Sequence, residues 1–162
     1  MKKTITLIAA MLIMATTFGQ TDSTKKSKLI YYASIGISIS NVNPNDANTD
    51  KFNKASYPSL EIGVTKKNIS VGAVFGYENI WATSSTRGFY ELKTSCSHNI
   101  IGDCNGYILF GVGSYFEHSF HNFIEYGFGF SYSPKKLGYS IQYSNWANSN
   151  YVSIGLGYSF NQ

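Results

Sequence analysis

Four glutamates, Glu61, Glu78, Glu91 and Glu125, stand among short uncharged residues, with Lys93 and Arg87 as cations close to them in the chain. Carboxyls held in different surroundings can divide acid and base roles between them. Inside a closed structure the same groups would instead have to satisfy one another, because an unpaired buried charge is costly. The segments that carry them set them at several heights. The expectation is therefore a polar network of Glu61, Glu78, Glu91, Lys93 and Glu125 filling an interior, with no acid–base pair. Ser144 is the one hydroxyl whose neighbours suggest a nucleophile, in the run Gln142-Tyr143-Ser144-Asn145. A serine needs a general base to take its proton, and the glutamine two residues before it cannot accept and return one.

Cys96 and Cys104 offer a second chemistry. Flanking a turn, they are expected to form a disulfide if the chain is exported, which would contribute about 2–3 kcal/mol by closing a short loop. Glu117, His118 and His121 share a connecting segment and have the spacing of one helical turn, but nothing nearby supports a helix or supplies a further ligand. They read as solvated loop residues, as does His98. No metal and no cofactor is expected.

The elements that must hold these residues alternate at period two. The segment 153–160 carries Ile154, Leu156, Tyr158 and Phe160 on one face and Ser153, Gly155, Gly157 and Ser159 on the other. Such alternation is a strand with one apolar and one small polar face. Seven earlier segments repeat it, at 31–40, 59–65, 69–78, 88–97, 106–116, 123–132 and 138–146. Ten glycines fall on the polar face, among them Gly36, Gly63, Gly72, Gly111 and Gly155. Interior glycine weakens a strand, so its concentration on one face needs a cause. A barrel of eight strands supplies it, since the lumen is only wide enough for side chains to fill. Gly and Ser make room there for the few large inward residues. A soluble barrel or sandwich would bury its bulky face instead, and this inverted pattern puts lipid outside.

Tight turns are expected around Lys66-Lys67-Asn68 and Pro134-Lys135-Lys136, on the rim that also holds the chain ends, with both lysine pairs placed to meet phospholipid headgroups. The turn 99–103 should lie there too. Longer connections at 41–56, 79–87, 117–122 and 147–150 fall on the opposite rim, the first of them polar and expected to be mobile. Short turns on one side and longer loops on the other are usual for membrane barrels.

Residues 1–19 read as a cleaved secretory leader, with Lys2 and Lys3, an apolar stretch from Ile5 to Met14, and small residues before Gln20. A short polar segment, 20–28, precedes a barrel at 29–162. Losing the leader lowers the formal net charge from +4 to +2, too little to imply nucleic acid.

Two resemblances follow from these residues. The ending Ser153-x-Gly155-x-x-Tyr158-x-Phe160 resembles the signal by which outer-membrane barrels are recognised for assembly, and differs from it in having Asn161 and Gln162 beyond the phenylalanine. With the eight strands, it makes the chain similar to the broad family of outer-membrane β-barrel-domain proteins. That resemblance implies a transmembrane, eight-stranded, antiparallel up-and-down barrel in the cell outer membrane. Its expected partners are outer-membrane lipids and the barrel-assembly machinery, with the partner of its outer loops left open. It also implies a role in structure or surface contact rather than catalysis, and a lumen too narrow for general solute passage. The segment around Ser144 is similar to the His-x-Ser-Asn segment of the outer-membrane lipid A deacylases, which are eight-stranded barrels with a Ser–His–Glu triad. This implies Ser144 as nucleophile, but Gln142 replaces the base and no glutamate follows in the last strand. A lipid A-modifying hydrolase and a soluble, secreted β-sandwich binding protein are the two alternatives.

Overall fold

In a computed structural model, residues 28–41, 54–80, 85–116, 122–146 and 149–161 are described. The leader at 1–19 and all but Lys28 of the segment 20–28 lie outside the described residues, as do Glu117, His118 and His121.

Eight strands follow one another: β1 Leu29–Asn41, β2 Lys54–Lys66, β3 Ile69–Ile80, β4 Ser85–Ile101, β5 Cys104–Tyr115, β6 Asn122–Tyr132, β7 Leu137–Trp146 and β8 Ser149–Ser159. Each pairs antiparallel with its neighbour in sequence, and β8 returns to pair with β1 from Tyr32↔Ser159 to Asn41↔Asn150. The sheet thus closes on itself and keeps no free long edge. This excludes the sandwich alternative, which requires two separate sheets.

The alternation decides the faces. Outward positions carry Ile35, Ile37, Leu60, Ile62, Leu92, Ile108, Ile124, Ile141, Ile154 and Leu156, all solvent-exposed in the isolated chain. Aromatic side chains flank this aliphatic belt. Phe75, Tyr77, Tyr90, Phe116, Tyr126 and Tyr143 stand towards one rim, and Tyr31, Phe130, Tyr132, Tyr139, Tyr158 and Phe160 towards the other. On β1 the outward side chains from Tyr31 to Ile39 cover eight residue steps. With strands tilted by about 40°, that is an apolar height of about 20 Å. A contiguous exposed surface of this kind is not what a soluble monomer presents.

One rim, here the near rim, bears the ends of β1 and β8 and three short turns. Lys67 and Asn68 join β2 to β3, with Lys67 in the left-handed region at φ 56°. Gly102 and Asp103 join β4 to β5, with Gly102 at φ 54°, where glycine removes the steric penalty. Residues 133–136 join β6 to β7.

Two sequence expectations are corrected here. The segment read as 88–97 is a strand of 17 residues that continues through His98 and Asn99 to Ile101, so its turn is two residues long. That extension separates the cysteines. Cys96 pairs with Ile108, four residues along β5 from Cys104, while Cys104 pairs with Ile101 across a bulge. Four strand steps are about 13 Å, beyond the reach of a disulfide. Cys96 and Cys104 are free thiols, and the expected bridge is absent. The second correction is β2, which begins five residues before the expected 59–65. Pro58, which lacks an N–H, interrupts its ladder to β3, where the pairing skips from Ser56↔Asn79 to Ser59↔Gly76.

Candidate functional site

The lumen is layered. At the far rim β2, β4, β5, β6, β7 and β8 each send one ring inward: Tyr57, Phe89, Tyr115, Phe123, Trp146 and Tyr151, all buried. Ring centroids are 4.4 Å apart for Phe123–Trp146, 4.6 Å for Phe89–Trp146 and 4.9 Å for Tyr57–Tyr151, mostly tilted or edge-on. These are favourable aromatic geometries. Ala55 and Val74 complete the cluster. Two of its hydroxyls are paired: that of Tyr57 donates to Glu78 Oε1 at 2.6 Å and that of Tyr151 to the Tyr57 oxygen at 3.2 Å. The rings form a plug across the far end of the barrel.

Sequence reasoning missed this plug, although its signal was present. Phe89 shares the phase of Glu91 and Lys93, Phe123 that of Glu125, Trp146 that of Gln142 and Ser144, and Tyr151 that of Ser153. Carrying the polar face of each strand two to four residues towards the far rim would have found all four rings.

Below the plug lies a charged layer. Lys93 Nζ is 2.6 Å from Glu61 Oε2, and the Tyr32 hydroxyl donates to Glu61 Oε1 at 2.6 Å. Glu91 lies within hydrogen-bonding reach of Glu125, which also accepts a bond from Gln142 Nε2 at 2.8 Å. The structure therefore brings Glu61, Glu91, Lys93 and Glu125 into one layer. Glu78 belongs to the plug instead, with Tyr57 and, directly across the ladder, Arg87.

Glycine makes this layer possible. A Cβ at Gly111 would collide with the Glu91 carboxyl, and one at Gly72 would fall 2.8 Å from both Glu61 Oε1 and the Tyr32 hydroxyl. At Gly129 it would meet the Tyr107 ring at 2.6 Å. Tyr32, Glu61, Glu91 and Tyr107 thus each lie over a position without a side chain.

From the charged layer to the near rim the wall is mostly hydroxyls, including Ser34, Ser70, Ser95, Ser131 and Ser140. They surround a cavity of about 440 Å³ that reaches from Lys67, Asn68 and Ser133 at the turns to the undersides of Phe89, Trp146 and Tyr151.

Ser144 is inward and buried, and its hydroxyl accepts a bond from Gln142 Nε2 at 3.3 Å. An amide donor beside the oxygen holds it as an acceptor and takes no proton from it. His98 is exposed on β4. Among the described residues no group of three or more His, Cys, Asp or Glu is arranged to hold a metal ion.

In the closing strand, Ser153 is inward and donates to the Ser38 hydroxyl at 2.7 Å, and Gly155 faces Ser140. Tyr158 and Phe160 point outward with ring centroids 5.4 Å apart. The Phe160 amide donates to the Tyr31 carbonyl at 2.9 Å. Asn161, a departure from the terminal pattern by sequence, lengthens the seam: its side chain accepts from the Tyr31 amide at 2.9 Å and donates to the Leu29 carbonyl at 2.8 Å.

No protein-family model and no curated protein matches the chain. Solved structures do match in fold. The crystal structure of Neisserial surface protein A aligns with a TM-score of 0.58 at 12% identity, over 82% of this chain and 99% of that one. The N-terminal β-barrel domain of Pseudomonas aeruginosa OprF aligns with a TM-score of 0.57 at 11% identity, over 83% and 98%. A structure from the de novo design of transmembrane β-barrels aligns with a TM-score of 0.55 at 17% identity, over 85% and 98%. At these identities the likeness is one of fold.

Proposed function

We propose that this protein is an integral outer-membrane barrel that works without catalysis, by structural support or by contacts of its far-rim loops. One observation carries the reading: a closed barrel whose aliphatic belt, bordered by aromatic side chains on both sides, faces outward around a polar lumen that six rings block. In water the belt would drive aggregation, whereas in a bilayer it is the matched surface. The plug opposes a porin role. The near rim faces the periplasm and carries Lys66, Lys67, Lys135 and Lys136 towards lipid headgroups. Export by the leader at 1–19 brings the chain to the assembly machinery, which reads Ser153, Gly155, Tyr158 and Phe160. The buried Ser144, held by an amide, argues against a lipid A hydrolase.

The test is fractionation of membranes with an alkaline wash, followed by gels of boiled and unboiled samples. Retention in the outer membrane with a heat-dependent shift in mobility is the expected result. A soluble species with no shift would refute the reading. Lipid A mass spectra should be unchanged on expression, and deacylated species that disappear in Ser144→Ala would replace this proposal with the enzymatic one.

A further inference from the structure

We infer that the outer wall at the far rim, at Asn145 and Asn150, holds the sugar headgroup of the glycolipid in the outer leaflet through uncharged hydrogen bonds. The site rests on the membrane orientation proposed above, which sets the far rim in that leaflet and the near rim among phospholipids.

The two rims differ in chemistry. Lysines dominate the near rim, with Lys66, Lys67, Lys135 and Lys136 at its turns. Among the described side chains, the outer wall beyond the far aromatic border carries Ser56, Asn79, Thr86, Asn122, Asn145 and Asn150, and no charge. Side chains at this level stand among lipid headgroups, so their chemistry selects the headgroup they meet. A collar of lysines suits anionic phospholipid. Amides, which both donate and accept, suit the hydroxyls of a sugar.

The ends of β7 and β8 hold the site. Asn145 lies opposite Asn150 in the ladder, and its Nδ2 donates to Asn150 Oδ1 at 3.1 Å in an exposed position. That bond aligns the two amides. It leaves the Asn145 oxygen and both Asn150 side-chain N–H groups without a partner among the described residues. Tyr126 stands opposite Asn145 on β6, and Tyr143 precedes it by one outward position on β7. Both rings are exposed. A pyranose has an apolar face of C–H groups beside its hydroxyls, and a tyrosine next to an amide matches both parts.

The experiment uses the folded full-length barrel in detergent micelles, with lipid A as probe and phosphatidylglycerol, an anionic lipid without a sugar ring, as its match. Side-chain amide NMR signals of Asn145 and Asn150 are followed as each lipid is added. Saturable shifts are expected for lipid A, with an affinity at least about ten-fold above that for phosphatidylglycerol. Raising sodium chloride from about 0.05 M to about 0.5 M should change that affinity by less than about two-fold, because screening acts on charges. Asn145→Leu and Asn150→Leu should each weaken binding by about ten-fold, read from the remaining asparagine. Lys54→Met, at the start of β2 on the same rim, should leave the affinity unchanged. Retained heat-dependent mobility establishes that each variant is folded. An equal response to phosphatidylglycerol, affinity that collapses in salt or in Lys54→Met, or full binding by both asparagine variants would overturn the inference. A heat-modifiable barrel with no preference for lipid A would remove the site and leave the membrane assignment standing, whereas a soluble species with no shift would remove both.

Discussion

Lys93 Nζ lies 2.6 Å from Glu61 Oε2, and Tyr32 donates to the other oxygen of that carboxylate at the same distance, so β1, β2 and β4 are joined through one glutamate inside the barrel. Both charged side chains are largely buried. Removing one partner leaves the other desolvated and unpaired, whereas removing both leaves no charge to satisfy. Lys93→Met should cost about 3 kcal/mol or more, and Lys93→Met with Glu61→Gln should recover much of that loss. Urea unfolding of the refolded barrel, read by mobility on unboiled gels, measures both. A double variant no more stable than Lys93→Met would show that the two residues do not act as a pair.

The plug predicts a barrier that can be opened. Trp146 touches Phe89, Phe123, Tyr57, Tyr115 and Tyr151, more rings than any other member of the cluster. Replacing Phe89 and Trp146 together by alanine removes the centre of the stack over an already open cavity. In planar bilayers the parent should show no steady conductance and the double variant a measurable one. Each substitution should also cost about 3–5 kcal/mol of stability. Steady conductance in the parent would show that the rings do not seal the lumen.

How far the sequence revealed this architecture depended on where along a strand the alternation was clean. In the middle of β1, β6 and β8, Gly or Ser alternates with Ile, Leu, Phe or Tyr apart from Glu125, and the inner and outer faces are both unambiguous. Near the far rim the contrast fails, because bulky residues occupy both faces: Tyr115 points in while Phe116 next to it is exposed. Hydrophobicity alone does not phase such a pair, and the plug emerges only when the phase of the polar face is carried on from the middle of the strand. The near-rim end of β4 failed differently, since His98 and Asn99 have the composition of a turn but pair with Gly106 and Asn105. The ladder to β5 overrode local propensity. The disulfide was misjudged as a direct result, because sequence separation says nothing about register. The inward network of Glu61, Glu91, Lys93 and Glu125 followed from phase, whereas the pairing of Glu78 with Tyr57 depends on the ring plug that the sequence reading did not find.

Glycines on the inner wall should separate into two groups by what a methyl group would meet. At Gly113 an added Cβ would collide with the Phe123 ring and the Tyr90 carbonyl, and at Gly76 it would fall 2.6 Å from the Phe89 ring and 2.7 Å from the Pro58 carbonyl. At Gly157 the nearest atom is Ser34 Cβ at 3.4 Å, an ordinary contact. Gly113→Ala and Gly76→Ala should therefore destabilise by about 1–3 kcal/mol through overpacking, while Gly157→Ala should be neutral or slightly stabilising. Parallel urea midpoints decide it, and equal effects at all three would mean that backbone entropy outweighs lumen packing.

Cys96 and Cys104 should behave as two independent thiols. Both lie at even positions on the outward face, about 13 Å apart by register. Alkylation without reductant should add two labels to the intact mass. Cys96→Ser with Cys104→Ser should shift stability by no more than about 0.5 kcal/mol, since no cross-link is lost. A mass two daltons low with no label taken up would restore the disulfide and require a different register between β4 and β5.

The closing seam offers the sharpest separation between assembly and stability. Asn161 uses both ends of its amide to bond the Tyr31 amide and the Leu29 carbonyl, imitating one more ladder residue where the strand itself has ended. Both bonds are exposed, so Asn161→Ala should cost no more than about 1–2 kcal/mol and should act on the folded barrel. Phe160 has a different position. Its ring is exposed on the outer face, and its backbone bond to Tyr31 survives truncation of the side chain. Phe160→Ala should therefore leave the stability of refolded barrel nearly unchanged in vitro while lowering the amount inserted in cells and raising degradation. If Phe160→Ala instead lowers stability in vitro and inserts normally, the ring serves packing at the seam and not recognition during assembly.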